Sequence, residues 1–154
     1  MKEAPDKPAA DSPSELKTRA LRHLVRREHS RAELARKLAP HAQSPEALDA
    51  LLQELVAKKQ LSDERYAETR AHVLSRKYGA ARIRQDLKAH GVADIVAERV
   101  CGGDDLQKAK NILARKYRVP ATTREEEAKR MRFLQSRGFS YDIIRAALRV
   151  EDAE

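Results

Sequence analysis

Residues 76–92 read Arg76-Lys77-Tyr78-Gly79-Ala80-Ala81-Arg82-Ile83-Arg84-Gln85-Asp86-Leu87-Lys88-Ala89-His90-Gly91-Val92, and most of the architecture follows from them. Ile83 and Leu87 lie four apart, on one face of a helix. Gly79 separates that helix from the preceding one, which closes at Tyr78, and His90-Gly91 offers a left-handed C-cap. The same punctuation returns later. Arg76-Lys77-Tyr78 recurs as Arg115-Lys116-Tyr117, in each case closing a helix that opens with Asp63 or Asp105 and has Ala67 or Ala109 four residues on. Leu87-x-x-x-Gly91-Val92 recurs as Leu134-x-x-x-Gly138-Phe139, and Asp94-Ile95-Val96 as Asp142-Ile143-Ile144. Upstream, Arg27-x-x-Ser30 aligns with Arg76-x-x-Gly79, Leu34 with Ile83 and Leu38 with Leu87. Self-similarity at this period marks a helical repeat.

The remaining elements fit that repeat. Ser12-Pro13-Ser14-Glu15 reads as a capped helix start, and Leu16, Ala20, Leu21, Leu24 and Val25 follow at helical spacing to about Arg27. Ser30-Arg31-Ala32-Glu33 is a second capping box, with His29 placed to staple onto Leu34, and Pro40 ends that helix. Ser44-Pro45 starts a third helix with Leu48, Leu51, Leu52, Leu55 and Val56 on its inward stripe. Ser62 caps a fourth, with Tyr66, Ala67, Val73 and Leu74 inward. Thr123-Arg124-Glu125-Glu126 and Ser140 open the last two helices. No segment alternates with period two for long enough to be a strand. The expected fold is all-α: three tandem three-helix repeats, residues 14–61, 62–102 and 104–150, forming an elongated right- or left-curving array. Residues 1–13, rich in Lys, Glu, Asp and Pro, are expected to be a disordered lead-in.

The chain carries a formal net charge of +8 with 36% charged and only 4% aromatic residues. Such a surplus suits either nucleic acid or an acidic protein surface, and also serves plain solubility. The bases cluster. Residues 70–90 hold six Arg or Lys against one Asp, and residues 107–118 hold five and no acid. An array of this kind suits a repeating polyanion or a helical filament. The candidate contacts are Arg27, Arg31, Arg36, Arg76, Lys77, Arg82, Arg84, Lys88, Arg115, Lys116 and Arg137. With Ile83 and Leu87 facing in, Arg84 and Lys88 should project together on one flank of their helix and Arg82 on the other. The repeated helix–turn–helix joints also permit a basic DNA-binding protein of helix-turn-helix type.

No catalytic signature is present: no phosphate-cradling loop, no dinucleotide turn and no His-Glu-x-x-His. The five histidines lack metal-ligand spacing, so neither a metal nor another cofactor is expected, and the chain is not expected to be an enzyme. Cys101 follows Val96 and Val100 and reads as a small core residue in a reducing compartment. There is no apolar stretch of membrane-span length and no signal-peptide pattern, so a cytoplasmic protein is expected.

Four segments together resemble the RecX family: residues 26–34 from Arg26 to Leu34, Leu61-Ser62-Asp63-Glu64-Arg65-Tyr66-Ala67, residues 78–87 with Gly91-Val92, and Phe133-Leu134-Gln135-Ser136-Arg137-Gly138-Phe139-Ser140. The last is the most specific, and order and spacing hold from about residue 16 to 150. The resemblance implies three tandem three-helix repeats and binding along the groove of a RecA filament on DNA. It further implies inhibition of RecA's ATPase, strand-exchange and coprotease activities, and so a role in recombination, repair and the SOS response. Weak, sequence-independent contact with single- and double-stranded DNA and a monomeric state are the accompanying expectations.

Overall fold

The structure, a computed structural model, describes residues 9–152, so most of the expected disordered lead-in lies outside the described residues. Within them are nine α-helices: α1 (Pro13–Arg26), α2 (Arg31–Leu38), α3 (Pro45–Ala57), α4 (Asp63–Leu74), α5 (Ala80–Ala89), α6 (Asp94–Val100), α7 (Asp105–Lys116), α8 (Arg124–Ser136) and α9 (Tyr141–Asp152). One short 3-10 turn (Ala39–His41) follows α2, and the described residues contain no strand. The fold is all-α, a helical repeat array of three successive triplets.

Local chemistry sets the helix starts. Side-chain oxygens of Ser12, Ser30, Ser44, Ser62, Thr123 and Ser140 accept the backbone N–H three residues on, at 3.0–3.4 Å. Each satisfies a donor that the first helical turn leaves orphaned. The three capping boxes form only this half of the motif. The returning Glu takes another partner: Glu15 accepts the Ser12 hydroxyl, Glu33 accepts the Arg27 guanidinium, and Glu126 accepts the Thr122 N–H at 2.8 Å. Ahead of α1, Asp11 is tied down by Arg19 at 2.7 Å, and its N–H donates to the His41 carbonyl.

The chain divides after Tyr66, within α4, into two compact units. The first buries Leu16, Ala20, Leu34, Leu38, Leu51, Leu52, Leu55 and Leu61 as one core. Val25 is 86% exposed, contrary to the stripe expected for α1. Nine residues beyond Leu16, it lies half a turn away on the cylinder. Val56 and Val73 are also exposed, each about a quarter turn from the buried stripe, and Ala71 takes the inward place on α4.

In the second unit α7 and α9 pack together, and Ala109, Ile112, Leu113, Leu134, Phe139, Ile144, Ala147 and Leu148 form one core. Ile83, Leu87, Val92, Ala97 and Cys101 are buried as well. Burial pushes the Cys101 thiol pKa up, as befits a packing residue rather than a nucleophile. Gly91 and Gly138 both adopt the left-handed backbone that ends α5 and α8, at φ 82° and 89°.

Two contacts tie the repeat together. The Gly79 N–H donates to the Arg137 carbonyl at 2.7 Å, so the start of α5 lies directly on the end of α8. The Asp105 carboxylate, at the start of α7, accepts the N–H of Ala80, the first residue of α5, at 3.2 Å. At the corresponding place in the first unit, Asp63 at the start of α4 accepts the N–H of Arg31, the first residue of α2, at 2.7 Å. The Asp63–Asp105 correspondence seen in the sequence therefore has a physical meaning: each caps the second helix of the preceding triplet.

Candidate functional site

The sequence-predicted cations do not behave alike. In the first unit, Arg27 donates to both oxygens of Glu33 and to the Glu28 carbonyl. Burial raises the Glu33 pKa, but Arg27, His29 and Lys37 outweigh it and hold the carboxyl at about 2. Arg31 pairs with Asp49 at 2.7 Å. Arg36 is exposed and makes no ion pair among the described residues. On α5, Arg84 is only partly exposed and pairs with Glu98 of α6 at 3.4 Å, so it is not the free flank charge the helical wheel suggested. Lys88 is exposed without such a partner among the described residues, as is Lys77 after α4.

The others converge. The Arg82 guanidinium lies 4.4 Å from the Tyr78 ring centroid while its Nη1 donates to the Ser136 carbonyl at 2.7 Å. Arg137 sits between two rings, 5.4 Å from Tyr78 and 5.1 Å from Phe133. Lys116 lies 3.9 Å over Phe133 and 5.7 Å from Tyr117. Arg130 closes the series, 4.4 Å from the Tyr117 ring. Arg115 reaches across to donate to the Arg76 carbonyl. The result is a ladder of alternating cations and rings, Arg82–Tyr78–Arg137–Phe133–Lys116–Tyr117–Arg130. The turn between α4 and α5, the start of α5, the end of α7 and the C-terminal half of α8 with the residue after it contribute to it. Cations over ring faces are attracted by the ring quadrupole.

The ladder's rungs are what sequence reasoning missed. Arg130 is 4% exposed and donates to the Val119 carbonyl at 2.7 Å. One signal was available. Counting back four residues from the matched Leu38, Leu87 and Leu134 gives Leu34, Ile83 and Arg130, so the third triplet puts a cation where the others put an aliphatic.

Beside Tyr78 and Arg82 opens a groove of about 700 Å3, lined also by Gln85, Gln135 and Ser136. On its wall Arg70 and Asp86 form a two-pronged ion pair at 2.9 and 3.0 Å. The described residues contain no cluster of three or more His, Cys, Asp or Glu able to hold a metal, and no helix long and apolar enough to cross a membrane.

This arrangement belongs to a known kind of chain. Two family models match it: the second three-helix domain of RecX over residues 62–100, and the third over residues 103–148. The regulatory protein RecX of Herbaspirillum seropedicae is 46% identical over 140 residues, covering 88% of this chain and 90% of that one. That of Leptothrix cholodnii is 44% identical over 142 residues, covering 90% of each. The crystal structure of RecX from Lactobacillus salivarius shares the fold, with a TM-score of 0.81 over 92% of this chain and 97% of that chain, at 22% identity. By these matches the chain belongs to the RecX family of regulatory proteins.

Proposed function

We propose that this protein binds the RecA nucleoprotein filament and inhibits its ATPase, strand-exchange and coprotease activities, thereby modulating recombination, repair and the SOS response. It acts in the cytoplasm as a monomer, with no reaction of its own, through three repeats at 14–61, 62–102 and 104–150. Membership of a family of regulatory proteins supports the regulatory role. The observation that carries the choice of partner is the ladder: Arg82, Lys116 and Arg137 gathered on two rings of the second unit. A patch of that charge matches a polyanionic surface, and a filament of protein on DNA is one. Arg36, Lys77 and Lys88, exposed and without ion-pair partners among the described residues, extend the set of contacts. The DNA in the filament adds weak, sequence-independent, salt-sensitive attraction.

The test is RecA's DNA-dependent ATPase titrated with this protein, with filament length followed by electron microscopy. Suppression of turnover and shortened filaments are expected. Unchanged turnover and length across a wide concentration range would leave a generic basic DNA-binding protein as the better reading.

A further inference from the structure

We infer that Phe133 and Tyr78 are positioning residues for a phosphodiester-binding surface: their rings hold Lys116, Arg137 and Arg82 in place to grip backbone phosphates of a nucleic acid. The inference rests on reading the ladder as a binding surface, and adds to it which side chains make the surface work and which ligand chemistry they select.

Free Lys and Arg side chains are long and mobile, and immobilising each on binding costs about 0.5–1.5 kcal/mol. In the ladder much of that ordering is already present. Phe133 carries Lys116 at 3.9 Å and Arg137 at 5.1 Å, and Tyr78 carries Arg82 at 4.4 Å and Arg137 at 5.4 Å. Arg137 is therefore shared, and the two rings act on the cations as one scaffold. Arg82 is fixed further by its bond to the Ser136 carbonyl. The rings themselves are fixed. Phe133 meets Tyr117 edge to face at 6.2 Å, and Tyr117 packs against the buried core of α7, α8 and α9. None of the three cations forms an ion pair with a carboxylate among the described residues, in contrast to Arg27, Arg31, Arg70 and Arg84, although Arg82 is near enough to Asp86 to help lower its pKa.

The same geometry selects phosphate over base. Base stacking needs an uncovered aromatic face. Here each ring already seats two cations, so a base entering the ladder must first displace one of them. The cations are drawn to the rings through their charge and keep outward N–H groups for an anion. A backbone phosphate meets those donors without disturbing the ladder, on single or double strands alike.

The experiment titrates the full-length protein into a short fluorescein-labelled DNA duplex, followed by anisotropy at several salt concentrations. Phe133→Leu keeps net charge and nearly keeps apolar volume, but removes the π face. It is expected to bind about three- to tenfold more weakly, the loss of ordering for one or two side chains. The slope of log affinity against log salt should stay that of the wild type, because no charge is lost. Arg137→Gln, by contrast, should lower that slope by about 0.9, one phosphate contact. Phe133→Tyr, which restores the ring, should bind like the wild type. Circular dichroism checks folding, and if Phe133→Leu melts early, Tyr78→Leu at a half-exposed ring carries the same comparison. Wild-type affinity in both leucine variants, or failure of Phe133→Tyr to recover binding, overturns the inference. So does a wild-type protein that binds no duplex at all. Because the probe is bare DNA, these outcomes are separate from failure to act on RecA filaments, which bears on the proposed function alone.

Discussion

Gly79 and Gly138 mark the place where α5 and α8 meet, and removing the space they leave should open the joint. A Cβ built on Gly79 would stand 2.6 Å from the Gly138 carbonyl oxygen and 2.8 Å from Phe139 Cδ1. A Cβ on Gly138 would stand 2.5 Å from Arg82 Cβ and 2.8 Å from its backbone nitrogen. In both cases the obstacle includes backbone, so relief requires the helices to separate. Gly79→Ala adds only overpacking, about 1–3 kcal/mol. Gly138→Ala adds that and the strain of a side chain at φ 89°, roughly 1 kcal/mol more. For a chain of this length each kcal/mol lowers Tm by about 2–4 °C, so losses of about 2–12 °C and about 4–16 °C are expected. Gly102, with nothing within 4 Å of its added Cβ, is the internal control, and its alanine variant should fall within about 0.5 kcal/mol of the wild type. Thermal and urea melts followed by circular dichroism measure all three. Because the two glycines relieve the same contact, the double variant should cost less than the sum. Equal stability of Gly79→Ala and Gly102→Ala, or strict additivity of the pair, would refute the reasoning.

Removing the Asp105 carboxylate (Asp105→Ala) should cost about 1–2 kcal/mol and removing that of Asp63 (Asp63→Ala) less, within the usual range for lost caps; urea melts read the difference. Acid should destabilise the first unit in two steps, since burial holds the His29 pKa below 6.5 and ion pairing holds that of Glu33 at about 2, below 4.5. In both cases the unfolded chain takes up protons first, so stability present above each ordinary pKa is lost as pH falls, from about 6.5 downward and then from 4.5 toward 2; Glu33→Gln should flatten the lower step in acid titrations read by circular dichroism. Lys88→Glu should leave stability within about 0.5 kcal/mol of the wild type while weakening DNA binding, whereas Arg84→Glu should also lower Tm, because it sets a carboxylate against Glu98.

The helices were legible because their signals are local. Serine and threonine caps, prolines in the first turn and leucines four apart each need only one turn of context, and all six expected caps formed. The inward stripe was read less well at Val25, Val56 and Val73, where an apolar residue at the margin of a face was counted into it. What was not legible is the pairing of residues distant in sequence. Arg82 and Lys88 both read as outward bases on opposite flanks of one helix, yet one is clamped on Tyr78 with its guanidinium on the Ser136 carbonyl, and the other is exposed. Arg84 seemed free until α6 brought Glu98 to it. The ladder needs residues from 78 to 137 to meet, and no periodicity within one helix announces that.

One substitution between the repeats explains another. The second helix of each triplet needs an acceptor for its first orphaned N–H groups. At α2, Ser30 supplies its own hydroxyl to the Glu33 N–H, and Asp63 adds a second acceptor at the Arg31 N–H. At α5 the matching position is Gly79, which has no side chain to offer. Serine could not serve there, because a Cβ would strike the Gly138 carbonyl. Close approach of α5 to α8 thus excludes the usual cap, and the acceptor has to come from elsewhere in the fold. Asp105 provides it, accepting the Ala80 N–H with one oxygen while the other lies 3.7 Å from the Lys108 ammonium. The same approach brings Arg82 and Arg137 together beside the glycine contact, where both lie against the Tyr78 ring. The glycine pair, the aspartate cap and the cation ladder are therefore three consequences of one close helix contact. The Arg137-Gly138-Phe139 segment carries all of it at once: a carbonyl for Gly79, a residue without a side chain, and a ring for the core.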